Sequence, residues 1–294
     1  MNKVLVNILS NSLGDTIATI PYVSEYQKVN NFDVTFSIND NLIFLFENSY
    51  TNIKLVGRKD VVTYDEKIDL EYIFSKSIQG GYAEQLGFEN PKYIRPVIDL
   101  PKYSRTIKNK YVILGIHSTS QLKYWNHPDG ITSQMKSPYW NELSSILRKS
   151  GYTPVTIEKD ELFGVAPHRN GLPSKANNKI GVSLFDSINL INHCEFFIGL
   201  SSGMAWLAHA LGKKVAMISN FTEDWTEFDL SSEDYVRITN KSVCHGCWNK
   251  INVDYTFNTS DWYWCPLHKD TDRQFECHTS ITTNDVIDKI KHWI

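Results

Sequence analysis

The sequence has no apolar run of the ~18 residues that a bilayer-crossing helix needs, so no membrane span is expected. It has no surplus of positive charge: 30 Lys and Arg stand against 33 Asp and Glu, a formal net charge of −3. Chains that hold nucleic acid or an anionic membrane surface carry a basic excess, so neither is an expected partner. No small-residue cleavage site follows the opening MNKVLVNILSNSLGD, and Asn7 interrupts its apolar stretch. That opening reads as a first β-strand, and the protein as cytoplasmic. Internal repeats, low-complexity tracts, a Walker loop and a G-x-G-x-x-G turn are all missing. Cysteine is scarce, five in 294 residues, and a reducing compartment speaks against a disulfide framework.

What is there suits two domains of ordinary size, or one large one. Apolar residues make up 41% and aromatics 13%; aromatics fill cores or line sugar and nucleotide clefts. The run Val4–Leu9 is a strand, SNSLG a tight turn, and Ile17, Ile20, Val23 and Tyr26 mark a helix from near Asp15 that Pro21 is expected to bend. DVTFSI and NIKLVG read as strands, NLIFLFENS as a helix, and QGGYAEQLGF as a Gly-Gly turn before a short helix. Residues 90–110 hold three prolines and show no amphipathic period, which marks a linker. After it YVILG, TPVTIEK, EFFIGL and KVAMIS alternate as strands with the helices SPYWNELSSILRKSGY, LFDSINLINHC and SGMAWLAHALG. This is an α/β chain with parallel sheets covered on both faces. The expected division is 1–105 and 106–294, with a cleft between.

Open α/β sheets bind ligands at the carboxyl ends of their strands, so the loops there are the candidates. In Ser10–Thr16, Gly14 allows a sharp turn, and Asp15 at a helix start is either a cap or a carboxylate aimed into the cleft as general base. In His117–Asn126, hydroxyls and Lys123 either hold phosphate oxygens or form a polar surface loop. At Gly199–Met204, Ser201, Ser202 and Gly203 open a helix whose unpaired N–H groups suit a diphosphate, or simply supply a serine cap. The loop NFTEDWTEF after KVAMIS is placed for a base or ribose pocket, though its aromatics suit a core as well. His209 reads as a packed core residue, and Asp270-Thr271-Asp272 as too short a match to count.

Four of the five cysteines crowd into Cys244-x2-Cys247-x17-Cys265-x11-Cys277. One knuckle with two further thiols completes a tetrahedron that zinc or iron accepts, and such a closed site is structural. Free structural thiols are one alternative, and a mixed Cys-His set drawing on His245, His268 or His278 is another, although four cysteines already fill a closed site. A nucleic-acid finger is disfavoured: between 241 and 279, Lys241, Lys250, Lys269 and Arg273 face Asp254, Asp261, Asp270, Asp272 and Glu276. The metal is expected to clasp a loop-rich insertion over 243–279. Cys194 reads as a buried small hydrophobe.

The segments SNSLGDTIATIPYV, QGGYAEQLGF, HSTSQLKYWN, FFIGLSSGMAWLAHALGKKVAMISNFTEDWTEF and VCHGCWN…WYWCPLH…RQFECHTSIT together resemble glycosyltransferase family 9, the heptosyltransferases. The match is closest to the cysteine-bearing branch that glycosylates bacterial autotransporters, and it runs from about residue 3 to 290. The resemblance implies the GT-B architecture and inverting transfer of heptose from ADP-heptose to serine hydroxyls of an adhesin, in a large homo-oligomer. It implies Asp15 as catalytic base, Lys123 on the donor phosphate, and Ser201, Ser202 and Gly203 around the diphosphate. It also implies iron, structural in role, on Cys244, Cys247, Cys265 and Cys277. Zinc is possible there, and no catalytic divalent ion is expected. Substrate contacts are expected from Ser12, Gly14, Thr16, Ser118, Thr119, Lys123, Ser201, Ser202, Gly203, Met204, Phe221 and Thr222. The chain opens almost directly on its first strand, so an N-terminal region of those relatives is expected to be missing. The alternatives are a lipopolysaccharide-core heptosyltransferase and a non-catalytic nucleotide-sugar-binding scaffold.

Overall fold

A computed structural model of the chain describes residues 2–101, 103–118, 123–126, 137–165 and 168–294. Thr119, with its loop neighbours 120–122, lies outside the described residues. Strand β1 (Lys3–Ile8) buries Val4, Val6 and Ile8 on one face. The chain turns at Ser12, whose hydroxyl accepts from the Asp15 N–H, into α1 (Leu13–Asn30). The expected apolar positions Ile17, Ile20 and Val23 are fully buried, and the helix continues past Pro21 to a left-handed cap at Asn31. Strands β2 (Asp33–Ile38), β3 (Lys54–Gly57) and β4 (Glu66–Leu70) join β1 in a parallel sheet of order β3-β2-β1-β4.

Two expectations change here, and one strand joins that was not expected. NLIFLFENS is not an α-helix; Asp40–Leu45 forms a 3-10 turn, capped by Asn39. No turn occurs at Gly80-Gly81, because both lie inside α2 (Ile78–Gln85), which starts at Ser77 where the hydroxyl accepts from Gly80 N–H. Strand β4 was hidden by its charges, since EKIDL at the sheet edge buries only Leu70.

The second sheet holds β5 (Tyr111–Gly115), β6 (Thr153–Glu158), β9 (Asn177–Ile180), β10 (Phe196–Leu200), β11 (Lys214–Ile218) and β12 (Tyr235–Ile238). Its order is β12-β11-β10-β5-β6-β9, all parallel, with the hairpin β7 (Leu162–Val165) and β8 (His168–Gly171) set apart. Helices α3 (Pro138–Lys149), α4 (Leu184–His193), α5 (Gly203–Ala210), α6 (Glu276–Thr279) and α7 (Thr283–Ile290), with a 3-10 turn at Cys247–Lys250, complete the described elements. The described residues of 90–110 form neither helix nor strand. This is the GT-B arrangement: two doubly wound units, joined through α1 against α5 and one continuous apolar cluster fed by both sheets. A third, small cluster of Phe221, Cys247, Ile251, Trp264, Cys265 and Phe275 surrounds the cysteine segment.

Both sheets reverse their winding between two neighbouring strands, β1 and β4 in one, β5 and β10 in the other. A crevice opens at each such reversal, outside the carboxyl ends of the strands. The loops after these four strands therefore carry the site.

Candidate functional site

These loops meet around a cavity of about 300 Å³. Loop β1–α1 contributes Ser12, Gly14 and Asp15; the segment after β4 contributes Tyr72, Phe74 and Ile78. Ser118 and Lys123 follow β5, and Ser201, Ser202, Gly203 and Trp206 follow β10. Thr222, Glu227 and Trp248 close the wall. Of the residues expected at the site, Ser12, Gly14, Asp15, Ser118, Lys123, Ser201, Ser202, Gly203 and Thr222 are brought together. Three do not line the cavity. Thr16 is buried and donates its hydroxyl to Ser12 O at 3.0 Å, Met204 packs on the main core, and Phe221 belongs to the cluster under the cysteine segment.

Two helices aim their amino ends into the space. Asp15 sits in the first turn of α1 and accepts a short hydrogen bond from the Ser10 hydroxyl. Burial raises its pKa above the ordinary aspartate value, opposed by that hydroxyl and by the charge of Lys123. Ser202 caps α5, accepting from Ala205 N–H at 3.3 Å. The Lys123 ammonium donates to Ser201 O at 3.0 Å and lies 3.3 Å from Ser201 Oγ and 5.9 Å from the centre of the Trp248 ring. Burial lowers its pKa, and Glu227 and Asp15 oppose that.

Behind Ser201 lies a polar network that sequence reading missed. Ser201 Oγ donates to Glu227 at 2.6 Å and Ser118 Oγ to Ser201 O at 3.2 Å. Glu227 also accepts from Thr222 Oγ1 at 3.0 Å and pairs with Arg237 at 2.5 Å, both side chains being nearly inaccessible. Arg237 reaches Thr222 O at 2.7 Å as well. The network fixes the Ser201 turn from behind. In the same loop Phe228 is core, stacked on His209 at 4.4 Å, while Trp225 is exposed. His209 is packed as expected, but its ring nitrogens have no hydrogen-bond partner among the described residues, and burial lowers its pKa to about 4.

The cysteine segment forms the remaining wall. Gly246, at φ 70°, makes the knuckle, and a Cβ there would strike the Glu223 carboxylate. Cys247, Cys265 and Cys277 are buried and Cys244 half-buried. The thiols of Cys247 and Cys277 hold Cys244 as a thiolate, far below the usual thiol range, while their own pKa values rise. Sulfur, imidazole and carboxylate atoms of Cys244, His268 and Glu276 lie within 4.8 Å of one another. Glu276 is braced by Arg273 at 2.6 and 2.9 Å. A thiol-rich set that already favours one thiolate suits a thiophilic metal ion. Asp270-Thr271-Asp272 lies in an exposed turn of this segment.

No family model matches the chain. Autotransporter heptosyltransferase Aah of Escherichia coli is 32% identical over 303 residues, which span 98% of this chain and 73% of that protein. Crystal structures of the iron-containing dodecameric TibC from enterotoxigenic E. coli, one of them with ADP-D-beta-D-heptose, superpose with a TM-score of 0.86. In the first of these the identity is 29%, over 99% of this chain and 76% of that one. BimC of Burkholderia thailandensis, named an inactive autotransporter heptosyltransferase, is 26% identical over 96% of this chain and 67% of its own length.

Proposed function

Since this chain belongs to the autotransporter heptosyltransferases, we propose that it moves a heptose from ADP-heptose to a polypeptide hydroxyl, with inversion at the anomeric carbon. The observation that carries this reading is the position of Asp15. Its carboxylate faces Lys123 and the Ser201–Gly203 turn across one cavity, so a base and a diphosphate-binding turn share the space a sugar must occupy. The acceptor hydroxyl enters beside Asp15, which takes its proton as the oxygen attacks the anomeric carbon from the face opposite ADP. The bond from that carbon to the diphosphate oxygen breaks, and the electron pair leaves with ADP. Negative charge grows on the diphosphate. Lys123 and the α5 amino terminus stabilise it from fixed positions, while the Ser118 and Ser201 hydroxyls, which donate to Ser201 O and Glu227, hold the turn in place. Tyr72, Phe74 and Trp248 exclude water from the remaining wall.

Cys244, Cys247, Cys265 and Cys277 hold one metal ion, iron by analogy with TibC, with zinc the alternative. It folds the 243–279 segment and takes no part in bond making. The division at 105 leaves the carboxylate on one unit and the diphosphate turn on the other. By analogy with dodecameric TibC the chain assembles as a homo-oligomer.

Mass spectrometry of an autotransporter passenger co-expressed with this chain tests the reading. One heptose increment per modified serine is expected; an unmodified passenger, or a hexose increment, contradicts it. The name of BimC favours a second reading, a scaffold that binds the nucleotide sugar without transfer. Purified protein with excess ADP-heptose and acceptor separates the two, because a scaffold releases no ADP. Lipopolysaccharide core in place of the polypeptide tests the remaining acceptor class.

A further inference from the structure

We propose that the cysteine segment is a metal-set latch between the two units, and that Trp248 is its bolt. Trp248 directly follows Cys247 in the 3-10 turn Cys247–Lys250. Its backbone N–H is held by Phe221 O at 3.1 Å, on the second unit. Its indole Nε1 donates to the hydroxyl of Tyr72 at 2.8 Å, on the first. Its ring packs against Tyr72, Phe74 and Phe221, with centroids 6.1, 5.0 and 5.2 Å away. The next residue repeats the bridge. Asn249 Nδ2 donates to Phe74 O at 2.9 Å, while its Oδ1 accepts from Glu223 N at 2.8 Å and Thr226 Oγ1 at 2.9 Å.

These bonds reach the loop after β4, one side of the first unit's crevice. They start one and two residues from a cysteine. The Lys123 ammonium lies over the ring of the same indole, 5.9 Å from its centre. One side chain therefore registers the first unit, the second unit and the phosphate-facing lysine at once. Anchoring Cys247 fixes where the turn that carries Trp248 begins, so metal occupancy sets the width of the donor cavity as well as the fold of the segment. Trp248 and Tyr72 are positioning residues here. The inference rests on the donor reading above and assigns the metal a part in donor affinity.

The test is a double-mutant cycle on the dissociation constant of ADP, by calorimetry, in metal-loaded protein. Tyr72→Phe removes the acceptor and keeps the ring; Trp248→Phe removes the donor and keeps an aromatic. Tyr72→Phe is expected to weaken ADP about three- to tenfold, the scale of one hydrogen bond. The double variant should be no weaker than Trp248→Phe alone, because both changes break the same bond. In chelated protein that keeps its circular dichroism, Tyr72→Phe should change nothing. Additive single effects, or a lowered Tm with wild-type ADP affinity, overturn the latch. So does equal coupling in chelated and loaded protein. If chelation unfolds the chain, the loaded cycle decides alone. Wild-type protein that does not bind ADP overturns the donor reading and the latch together; bound ADP without coupling overturns only the latch.

Discussion

Gly14 and Gly203 lie back to back across the junction of the two units. A Cβ built on Gly203 would sit 3.1 Å from Gly14 N, and one on Gly14 would sit 3.3 Å from Gly203 Cα and 3.2 Å from Trp206 Cδ1. Each glycine stands in the first turn of a helix, so their contact brings two positive helix ends to one cavity. Gly203→Ala must push α1 and α5 apart by tenths of an ångström. We expect a stability loss of about 1–3 kcal/mol, as for other overpacked contacts, and a larger relative loss of ADP affinity. Thermal unfolding and calorimetry on the same sample check this; unchanged ADP affinity would mean that the spacing of the helix ends does not matter.

Asp15→Ala should lower turnover by ~10²–10⁴-fold, the usual worth of a positioned base, and leave ADP affinity near wild type. Burial raises the Asp15 pKa, so a base of this kind works only above that raised value. The acid limb of the kcat/KM profile should lie above the ordinary aspartate range, with activity rising as pH rises through it. Lys123 opposes the shift, so Lys123→Ala should move that limb further up as well as weaken donor binding. A limb that stays put when Lys123 is removed would separate the two residues.

Arg237 and Glu227 make a buried pair behind the Ser201 turn, 2.5 Å apart. Removing one partner of such a pair leaves a buried charge and costs about 3–5 kcal/mol. Arg237→Met should be strongly destabilised, and the double replacement Arg237→Met with Glu227→Gln less so. Denaturant titrations of the three variants read this out; equal losses in the single and double variants would show that the charge pairing is not what matters.

Much of this was legible in the chain. The four inner strands of the second sheet announce themselves because both faces are buried, so FFIGL and VAMI are unbroken apolar runs, whereas the edge strands β9 and β12 do not. Asp15, Lys123 and the Ser201–Gly203 turn follow from the rule that strand ends bind ligands. What stayed hidden has physical reasons. Strand β4 lies at an edge, and its sequence EKIDL looks like a polar loop; missing it also hid Tyr72 and Phe74, which follow it into the cavity. Trp248 reads as one more aromatic beside a cysteine, and only the fold turns it toward Lys123. Glu227 and Arg237 are ten positions apart on different elements, and nothing in their spacing couples them.

Glu158 has a consequence for stability. It ends β6 and accepts backbone N–H bonds from Ile116 at 2.6 Å and His117 at 3.2 Å, yet burial pushes its pKa up to about 8. Its other oxygen lies 3.5 Å from His117 Nδ1, and the pKa of that imidazole is lowered by burial, which disfavours a charged partner for the carboxyl. The unfolded chain loses this proton near the ordinary glutamate value of about 4.3, while the folded chain keeps it to about 8. The folded state binds the extra proton between these limits, so stability falls as pH rises through that window and levels off above it. Glu158→Gln mimics the protonated form. It should flatten the decline in Tm from pH 5 to 8.5 and raise Tm at the alkaline end. A variant that parallels wild type across the range would show that the carboxyl is already ionised in the fold.

Loss of a ligand should be felt first as loss of the clasp. Cys265 is buried in the small cluster with Phe221, Trp264 and Phe275, and with Cys244, Cys247 and Cys277 it completes the proposed set of four. Cys265→Ser should lower the metal content below one ion per chain, lower Tm, and leave the two parallel sheets folded, because their cores share no residue with that cluster. Elemental analysis beside circular dichroism checks both halves of the expectation. The alternative set, Cys244 with His268 and Glu276, predicts the reverse: His268→Ala would strip the metal and Cys265→Ser would keep it. A four-sulfur site requires His268→Ala to retain a full complement, since that imidazole would then only brace the Glu276 carboxylate beside Cys244.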